Sequence, residues 1–327
     1  MPALDEEETG NAGSGVWKVW LSWALVAPAV LWAVVRTLGL ESGFPMVQLI
    51  AFTPYVLLLA LLVCLAVVLM RQWLPFLAGL LAVVALGIAV VPRELGGPDE
   101  TSGGQTVRLL ASNLARGKAD LGQLMEIAEA RDVDILSIQE LTPESLAGLE
   151  ELGIASTYRY RVTNSAAEAR GGAIFSRFPL VTRDRPDTDF AQPIAEVRIT
   201  GAIPVELMSV HPMAPAGPKS TRQWEGDFEE LPVAGDFDLP TILSGDFNAT
   251  LDHENLRELI DTGYRDAGDA MGRGLVTTWP SELKWPLPVT LDHTLVEEPI
   301  GIIGYDVEKI SDSDHRAVYT ELVVPKR

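Results

Sequence analysis

The chain has 327 residues, with 45 Asp and Glu against 25 Lys and Arg, giving a net charge of −20. Such a length allows one large domain or two of ordinary size. Such a charge repels polyanions at long range, the opposite of the basic surface usual in a protein that hugs duplex nucleic acid. The lone cysteine, Cys64, lies in an apolar run, so the polar remainder has no disulfide, zinc–cysteine cluster or cysteine nucleophile.

In chain order, residues 1–16 form an acidic tail with Asp5, Glu6, Glu7 and Glu8. No charged residue occurs from Val19 to Val35, from Ser42 to Met70, or from Gln72 to Pro92. A helix needs about 20 apolar residues to cross a bilayer core. The pattern therefore predicts three transmembrane helices over roughly 17–38, 45–70 and 72–92, within an anchor spanning 17–95. The acidic leader argues against a signal peptide, whose leader is basic. With no ionisable residue inside the spans, a transport pathway is disfavoured. Small residues in LAGLLAVVALGIA allow close helix packing, and so self-association. An odd number of spans puts the two ends on opposite faces, and the Lys and Arg balance is tied. The short 71–72 turn favours an extracytoplasmic location for the domain that follows, on a multi-pass protein of the cell membrane.

GGPDETSGGQ, residues 96–105, reads as a flexible linker. Residues 1–100 hold 4 Lys and Arg and 8 Asp and Glu, so the remaining 21 and 37 leave a charge of −16 on the polar part. From 106 to 327 strand-like and helix-like patterns alternate. TVRLLASN (106–113) is a buried strand with a polar end, and DLGQLMEIAEARD (120–132) has helical spacing. VDILSIQEL (133–141) is a second strand, and PESLAGLEEL (143–152) a helix with Pro143 in its first turn. Strand-like runs follow (STYRYRVT, GGAIFSRFPL, AEVRIT, PVELMSVH), then the strand TILSGDFNA (241–249) and a helix, HENLRELIDTG (253–263), stopped by Gly263. VTLDHTLVEE, IGIIGYDVEKI and RAVYTELVV complete the set. Strands outnumber helices and come in runs, which predicts an α/β domain of two packed sheets with helices outside.

Several strands end in residues able to do chemistry: Asn113, Glu140, His211, Asp246 with Asn248, Asp292 with His293, and Asp314 with His315. Singly, each has a plainer reading. Asn113 is a strand end or cap, His211 a core histidine, and Asp312 and Asp314 are turn residues. Glu140 follows a nearly apolar strand, where an unpaired carboxylate is costly, so it needs a partner or a metal. Three of the chain's four histidines sit in this set, whereas His253, at a helix start, reads as a surface or capping residue. The inventory suits metal-assisted phosphoester hydrolysis: carboxylates for a hard cation, a histidine–carboxylate base, and neutral donors for phosphate oxygens. Compact zinc spacing and a Gly-x-Ser-x-Gly elbow are both missing.

In order, ASN, IQE, GGAIFSR, SVHP, SGDFNAT, LDHTLV and SDSDHRAV resemble the successive motifs of the endonuclease/exonuclease/phosphatase family, over residues 106–325. The resemblance implies a four-layered α/β sandwich of two mixed sheets, and a Mg²⁺ site, with Mn²⁺ as a substitute, at the sheet edge. It assigns Glu140 as principal metal ligand with Asn113 beside it, and Asp314 as support for the metal or the histidine. It assigns His315 as general base with Asp292 orienting it. Asp246 and Asn248 position the nucleophile and bind the scissile phosphate, His211 binds phosphate or acts as acid, and Asn113 adds a substrate contact. His293 stands where arginine or tyrosine is common. The substrate stays open between a lipid headgroup, an inositol phosphate and nucleic acid. A nuclease outside the cell and a non-catalytic membrane-tethered binding domain are the alternatives. Trp279 and Trp285, on a Pro-rich loop, either line a substrate rim or pack over the sheet edge.

Overall fold

The computed structural model describes residues 12–101, 103–283 and 286–327, so Trp285 and most of the acidic tail lie outside the described residues. Its helices begin with α1 (Ala12–Thr37), α2 (Met46–Ile50), α3 (Thr53–Leu69) and α4 (Trp73–Val90). Two compact units result: α1, α3 and α4 form the first, while Gly43–Ala51 and Pro92–Arg327 form the second.

In the first unit, Gly79 brings α4 close to both neighbours. A Cβ there would stand 2.9 Å from Cys64 Sγ and 3.3 Å from a Val26 methyl. The segments Val16–Thr37 and Trp73–Glu94 are long and apolar enough to cross a membrane, at 22 residues each, while Thr53–Leu69 is shorter. The continuous helix expected over 45–70 is broken, because residues 43–51 fold into the other unit. Val47 and Ile50 are buried there, Gln48 Nε2 donates to Thr221 Oγ1 at 2.9 Å, and Gly43 N to Glu225 Oε1 at 3.1 Å.

The described residues of the second unit form twelve strands: β1 (Gln105–Asn113), β2 (Ile135–Gln139), β3 (Tyr160–Asn164), β4 (Gly172–Ser176), β5 (Leu180–Thr182), β6 (Ile194–Val197), β7 (Val205–Val210), β8 (Thr241–Asp246), β9 (Tyr264–Asp266), β10 (Asp292–Glu297), β11 (Gly301–Lys309) and β12 (Arg316–Val324). They form two six-stranded sheets, ordered β11-β12-β1-β2-β4-β3 and β5-β6-β7-β8-β10-β9. Each is mixed, with β1/β2 and β7/β8 parallel. Period-two alternation sends Val107, Leu109 and Ala111 of β1, with Val205 and Leu207 of β7, into the core between the sheets. Leu110 faces outward onto α5 (Leu121–Ala130), α6 (Pro143–Glu151) and α7 (Ile154–Thr157). On the other outer face, Met208, Val210 and Leu243 meet Trp224 and Phe228 of α8 (Pro218–Glu229), Leu256 of α9 (Glu254–Asp261), and Val47. The result is the expected α/β sandwich.

Two stretches depart from expectation. The segment 96–105 is not a free linker in its first half. Gly97 N donates to Ala270 O at 3.0 Å, and Asp99 pairs with Arg265 at 2.7 Å and accepts from Ile302 N at 2.8 Å. His253 does occupy the helix-start position before α9, but it is buried rather than on the surface. Its Nδ1 accepts from Thr250 N at 2.8 Å, so Nε2 carries the hydrogen donated to Val47 O at 2.8 Å.

Burial lowers the His253 pKa to about 4, from an ordinary value of 6.5. Unfolding restores the ordinary value, so the unfolded chain binds a proton first as pH falls. This histidine therefore costs nothing above pH ~6.5, and an increasing loss of stability, up to about 3 kcal/mol, accumulates as pH falls toward ~4. Thermal melts of the full chain at falling pH should show this slope in Trp224 fluorescence, the indole lying 5.4 Å from the His253 ring. His253→Gln should remove the histidine-specific part, and an unchanged slope would refute the assignment.

Candidate active site

The topology gathers the polar strand ends. Asn113 and Gln139 are register partners at the ends of parallel β1 and β2, and Val210 and Gly245 at the ends of parallel β7 and β8. Antiparallel β10 starts with Asp292 opposite Asp246, and β12 starts just after His315. Glu140, His211, Asp246, Asp292 and His315 thus collect at one edge. Polar bonds cross between the sheets beneath them: Ser137 Oγ to Ser244 O at 2.8 Å, and Gln139 Nε2 to Ser209 Oγ at 2.9 Å.

Gly245 serves this crossing rather than a turn. Its φ is +149°, and a Cβ would stand 2.3 Å from Val210 O and 2.6 Å from Gln139 Nε2. The positive-φ bend comes later, at Asn248 (49°), and Glu140 shares the conformation (57°). Held in a region that costs non-glycine residues of order 1 kcal/mol or more, both are where strain is stored at functional positions. Gly245→Ala should cost about 3 kcal/mol or more, from overpacking and an unfavourable φ together. A fall in the unfolding midpoint of several degrees is expected, and an unchanged midpoint would contradict the close approach.

Asn113 Nδ2 donates to Asp246 Oδ2 at 3.0 Å and faces Glu140 Oε1 at 3.4 Å, while its Oδ1 accepts from Ala115 N at 2.9 Å. Both Nδ2 hydrogens thus face carboxylates and Oδ1 holds a backbone N–H, so Asn113 braces Glu140 against Asp246. Glu140 Oε2 accepts from Arg116 N at 2.5 Å. His315 Nδ1 bonds Asp292 Oδ2 at 2.9 Å, leaving Nε2 3.5 Å from Asp246 Oδ2. His211 Nε2 lies 3.8 Å from Glu140 Oε1 and 3.7 Å from Asp246 Oδ2. Asn248 N donates to Asp246 Oδ1 at 2.8 Å, and its Nδ2 to Pro212 O at 3.1 Å. Asp314 is exposed, accepts from Trp279 Nε1 at 3.2 Å, and helps raise the Glu140 pKa. The Trp279 ring stands 6.4 Å from the His315 ring. His293 turns away from this group, bonding Asp266 Oδ2 at 2.8 Å and Ala249 O at 3.0 Å.

Burial alone would pull the His315 pKa down, but Asp292 and Asp246 outweigh it and push it up to about 10. Burial also raises the Asp246 and Glu140 carboxyls, against the opposing bonds from Asn113 and Arg116 in the case of Glu140. Burial lowers His211 despite Asp246, keeping it neutral. Three carboxylates thus crowd a buried edge, and among the described residues none pairs with lysine or arginine. Asp246, Asp292 and His315 can each place a donor atom within 4.8 Å of the others. Three carboxylates against one raised histidine leave a net negative charge, and hard oxygen donors with that balance fit a divalent cation of the Mg²⁺ type.

Sequence reasoning missed the supports of this group. Gln192 Oε1 accepts from His211 N at 2.9 Å, and Phe190 packs on the His211 ring at 4.8 Å. Ser313 Oγ accepts from His315 N at 3.1 Å and donates to Asn113 O at 2.9 Å. Thr278 Oγ1 accepts from Asp292 N at 3.1 Å. All four are common residue types in loops, where no pattern marks them.

The fold defines a class of protein, and comparison gives it a family. A model of the Endonuclease/Exonuclease/phosphatase family matches residues 102–315, and the chain belongs to that family, whose members are phosphoesterases and nucleases. Among solved structures, an endonuclease/exonuclease/phosphatase from Beutenbergia cavernae has a TM-score of 0.53 and 15% identity, over 68% of this chain and 72% of that one. D. rerio TDP2 complexed with single strand DNA product has a TM-score of 0.52 and 16% identity, over 67% and 99%. An AP endonuclease from Archaeoglobus fulgidus has a TM-score of 0.52 and 14% identity, over 65% and 98%. No curated protein matches the chain significantly.

Proposed function

We propose that the protein is a membrane-anchored, divalent-metal-dependent phosphoesterase in which the Asp292–His315 pair activates water against phosphorus. The observation that carries this reading is the 2.9 Å bond from His315 Nδ1 to Asp292 Oδ2. It fixes the ring and turns Nε2 toward Asp246, where a water can lose its proton to it. Glu140, with Asp246 beside it and Asp314 flanking, would hold the cation. A cation bound there would supply Lewis-acid stabilisation of charge on the phosphoryl oxygens, and its positive charge would favour the neutral form of His315. Asn248, whose Nδ2 has one hydrogen beyond the one given to Pro212 O, would donate to a phosphate oxygen while Asn113 holds the carboxylates beside it, and neutral His211 would offer Nε2–H to an oxygen gaining charge.

The outward leucines of α1, α3 and α4, such as Leu31, Leu62 and Leu81, support a lipid-facing surface. Residues 43–51 and 92–327 fold as one unit, so the chain between them crosses a bilayer an even number of times. This favours α3 and α4 crossing as a pair, and hence three spans in all, and the short turn at 71–72 favours the extracytoplasmic face for the enzyme. The test is hydrolysis by the detergent-purified full chain of DNA, RNA, sphingomyelin and inositol phosphates, with Mg²⁺ and with a chelator. Metal-dependent cleavage of at least one is expected. Cleavage of none would favour a tethered binding domain.

A further inference from the structure

A cavity of about 280 Å³ lies beside the site, lined by Asn164, Ser165, Arg170, Arg185 and Asp189. Its wall is tied to the site on two sides. Leu141, next to Glu140, donates its N–H to Gly171 O at 3.1 Å, and its carbonyl accepts from Ala166 N at 3.1 Å. On the other side Ala191 N donates to Arg170 O at 2.8 Å, and Phe190 stacks on His211. The Arg-Gly-Gly sequence makes this fit possible. A Cβ on Gly171 would stand 1.9 Å from Leu141 O, and one on Gly172 2.5 Å from Ala191 O. The backbone of Arg170 is therefore wedged between the segment carrying Glu140 and the segment supporting His211.

Arg108, Arg131, Arg161, Arg177, Arg183 and Arg265 are each paired with a carboxylate. Arg170 and Arg185 are exposed and, among the described residues, have no ion pair, despite the net charge of −20. Other exposed arginines, such as Arg159 and Arg222, also have no ion pair among the described residues, but this cavity gathers two such groups on one wall. Asp189, on the same wall, accepts from Gln223 Nε2 at 3.0 Å. Two guanidinium groups and one carboxylate leave the cavity with a positive balance.

We propose that the Arg170–Arg185 cavity binds a second phosphate of the substrate, beside the one hydrolysed at the Glu140–His315 site. This rests on the phosphoesterase reading and narrows it to substrates carrying a further phosphate near the scissile one, whether along a nucleotide chain or around an inositol ring. Asn164 and Ser165 supply neutral hydrogen-bonding groups on the same wall, and guanidinium groups grip phosphate through paired N–H donors.

The test compares substrates that differ by one phosphate, on the full chain in detergent with Mg²⁺. Thymidine 5′-(p-nitrophenyl phosphate) is set against its 3′-phosphorylated form, and inositol 1-phosphate against inositol 1,4-bisphosphate, which separates the two sources. The second phosphate should raise kcat/KM at least ~10-fold in one pair, as a charge-assisted contact does. In an Arg170→Ala/Arg185→Ala double variant the advantage should vanish, with one-phosphate rates within about twofold of wild type. Equal rates for both members of each pair, or an advantage that survives the double variant, overturns the subsite and leaves the hydrolase reading intact. Hydrolysis of none of the four leaves the hydrolase reading to be decided by the panel of DNA, RNA, sphingomyelin and inositol phosphates. The subsite is then decided by titrating thymidine 3′,5′-bisphosphate against thymidine 5′-monophosphate, where binding at least ~10-fold tighter, lost in the double variant, supports it and equal binding overturns it.

Discussion

Replacing His315 by alanine is expected to lower kcat at least ~100-fold while leaving the fold in place. The ring is buried just before β12, 6.4 Å from the Trp279 ring. Its polar contacts are the 2.9 Å bond to Asp292 and the approach of Nε2 to Asp246 at 3.5 Å. Truncation removes the proposed base and leaves two buried carboxylates near each other, which a bound cation or a shared proton can offset. The loss should therefore fall on turnover rather than on substrate binding. Asp292→Asn should give a smaller loss in the same direction, because an amide orients the ring without stabilising its charged form. The measurement is steady-state kinetics on each purified chain, beside its melting curve. Near-normal turnover in His315→Ala would sink the mechanism.

Glu140→Gln is expected to cost at least ~100-fold in activity at ordinary Mg²⁺, and to move the metal activation curve to higher concentration. The side chain is held from both sides, with Arg116 N on Oε2 and Asn113 Nδ2 facing Oε1. A glutamine keeps the shape but must turn an NH₂ toward one of those N–H donors, and it removes the negative charge. Mg²⁺ titration of activity separates the two losses. If Glu140 only braced the loop, the activation midpoint would stay at its wild-type value.

The sandwich and most of the site could be read from sequence because each rests on local pattern. The strand expected over 106–113 folds as β1, ending at Asn113, and the one expected over 241–249 forms but stops at Asp246, where the polar end begins. Pairing of Asp292 with His315, 23 positions apart, required the resemblance, since no spacing rule joins the starts of two strands. The α8 helix went unread although Pro218 stands in its first turn and Thr221, Trp224 and Phe228 are buried at helical spacing. Its polar composition hid that face. The fate of residues 43–51 was illegible for a different reason. An apolar run looks the same whether it enters lipid or a protein core, and Val47 and Ile50 enter a core. His253 misled by the same route, since its helix-start position says nothing of the carbonyl of Val47 that receives its proton. Gly245 carries no mark of its role in the sequence, because only the packing of Val210 and Gln139 against it explains why a side chain is excluded.

The central claim is that water attacks phosphorus at the sheet edge, and hydrolysis in water enriched with heavy oxygen tests it most directly. The full chain, supplied with Mg²⁺ and a phosphoester it turns over, should place the heavy oxygen in the phosphate product and none in the released alcohol, and a chelator should stop the reaction. Label in the alcohol, label in neither product, or turnover indifferent to the chelator would contradict it.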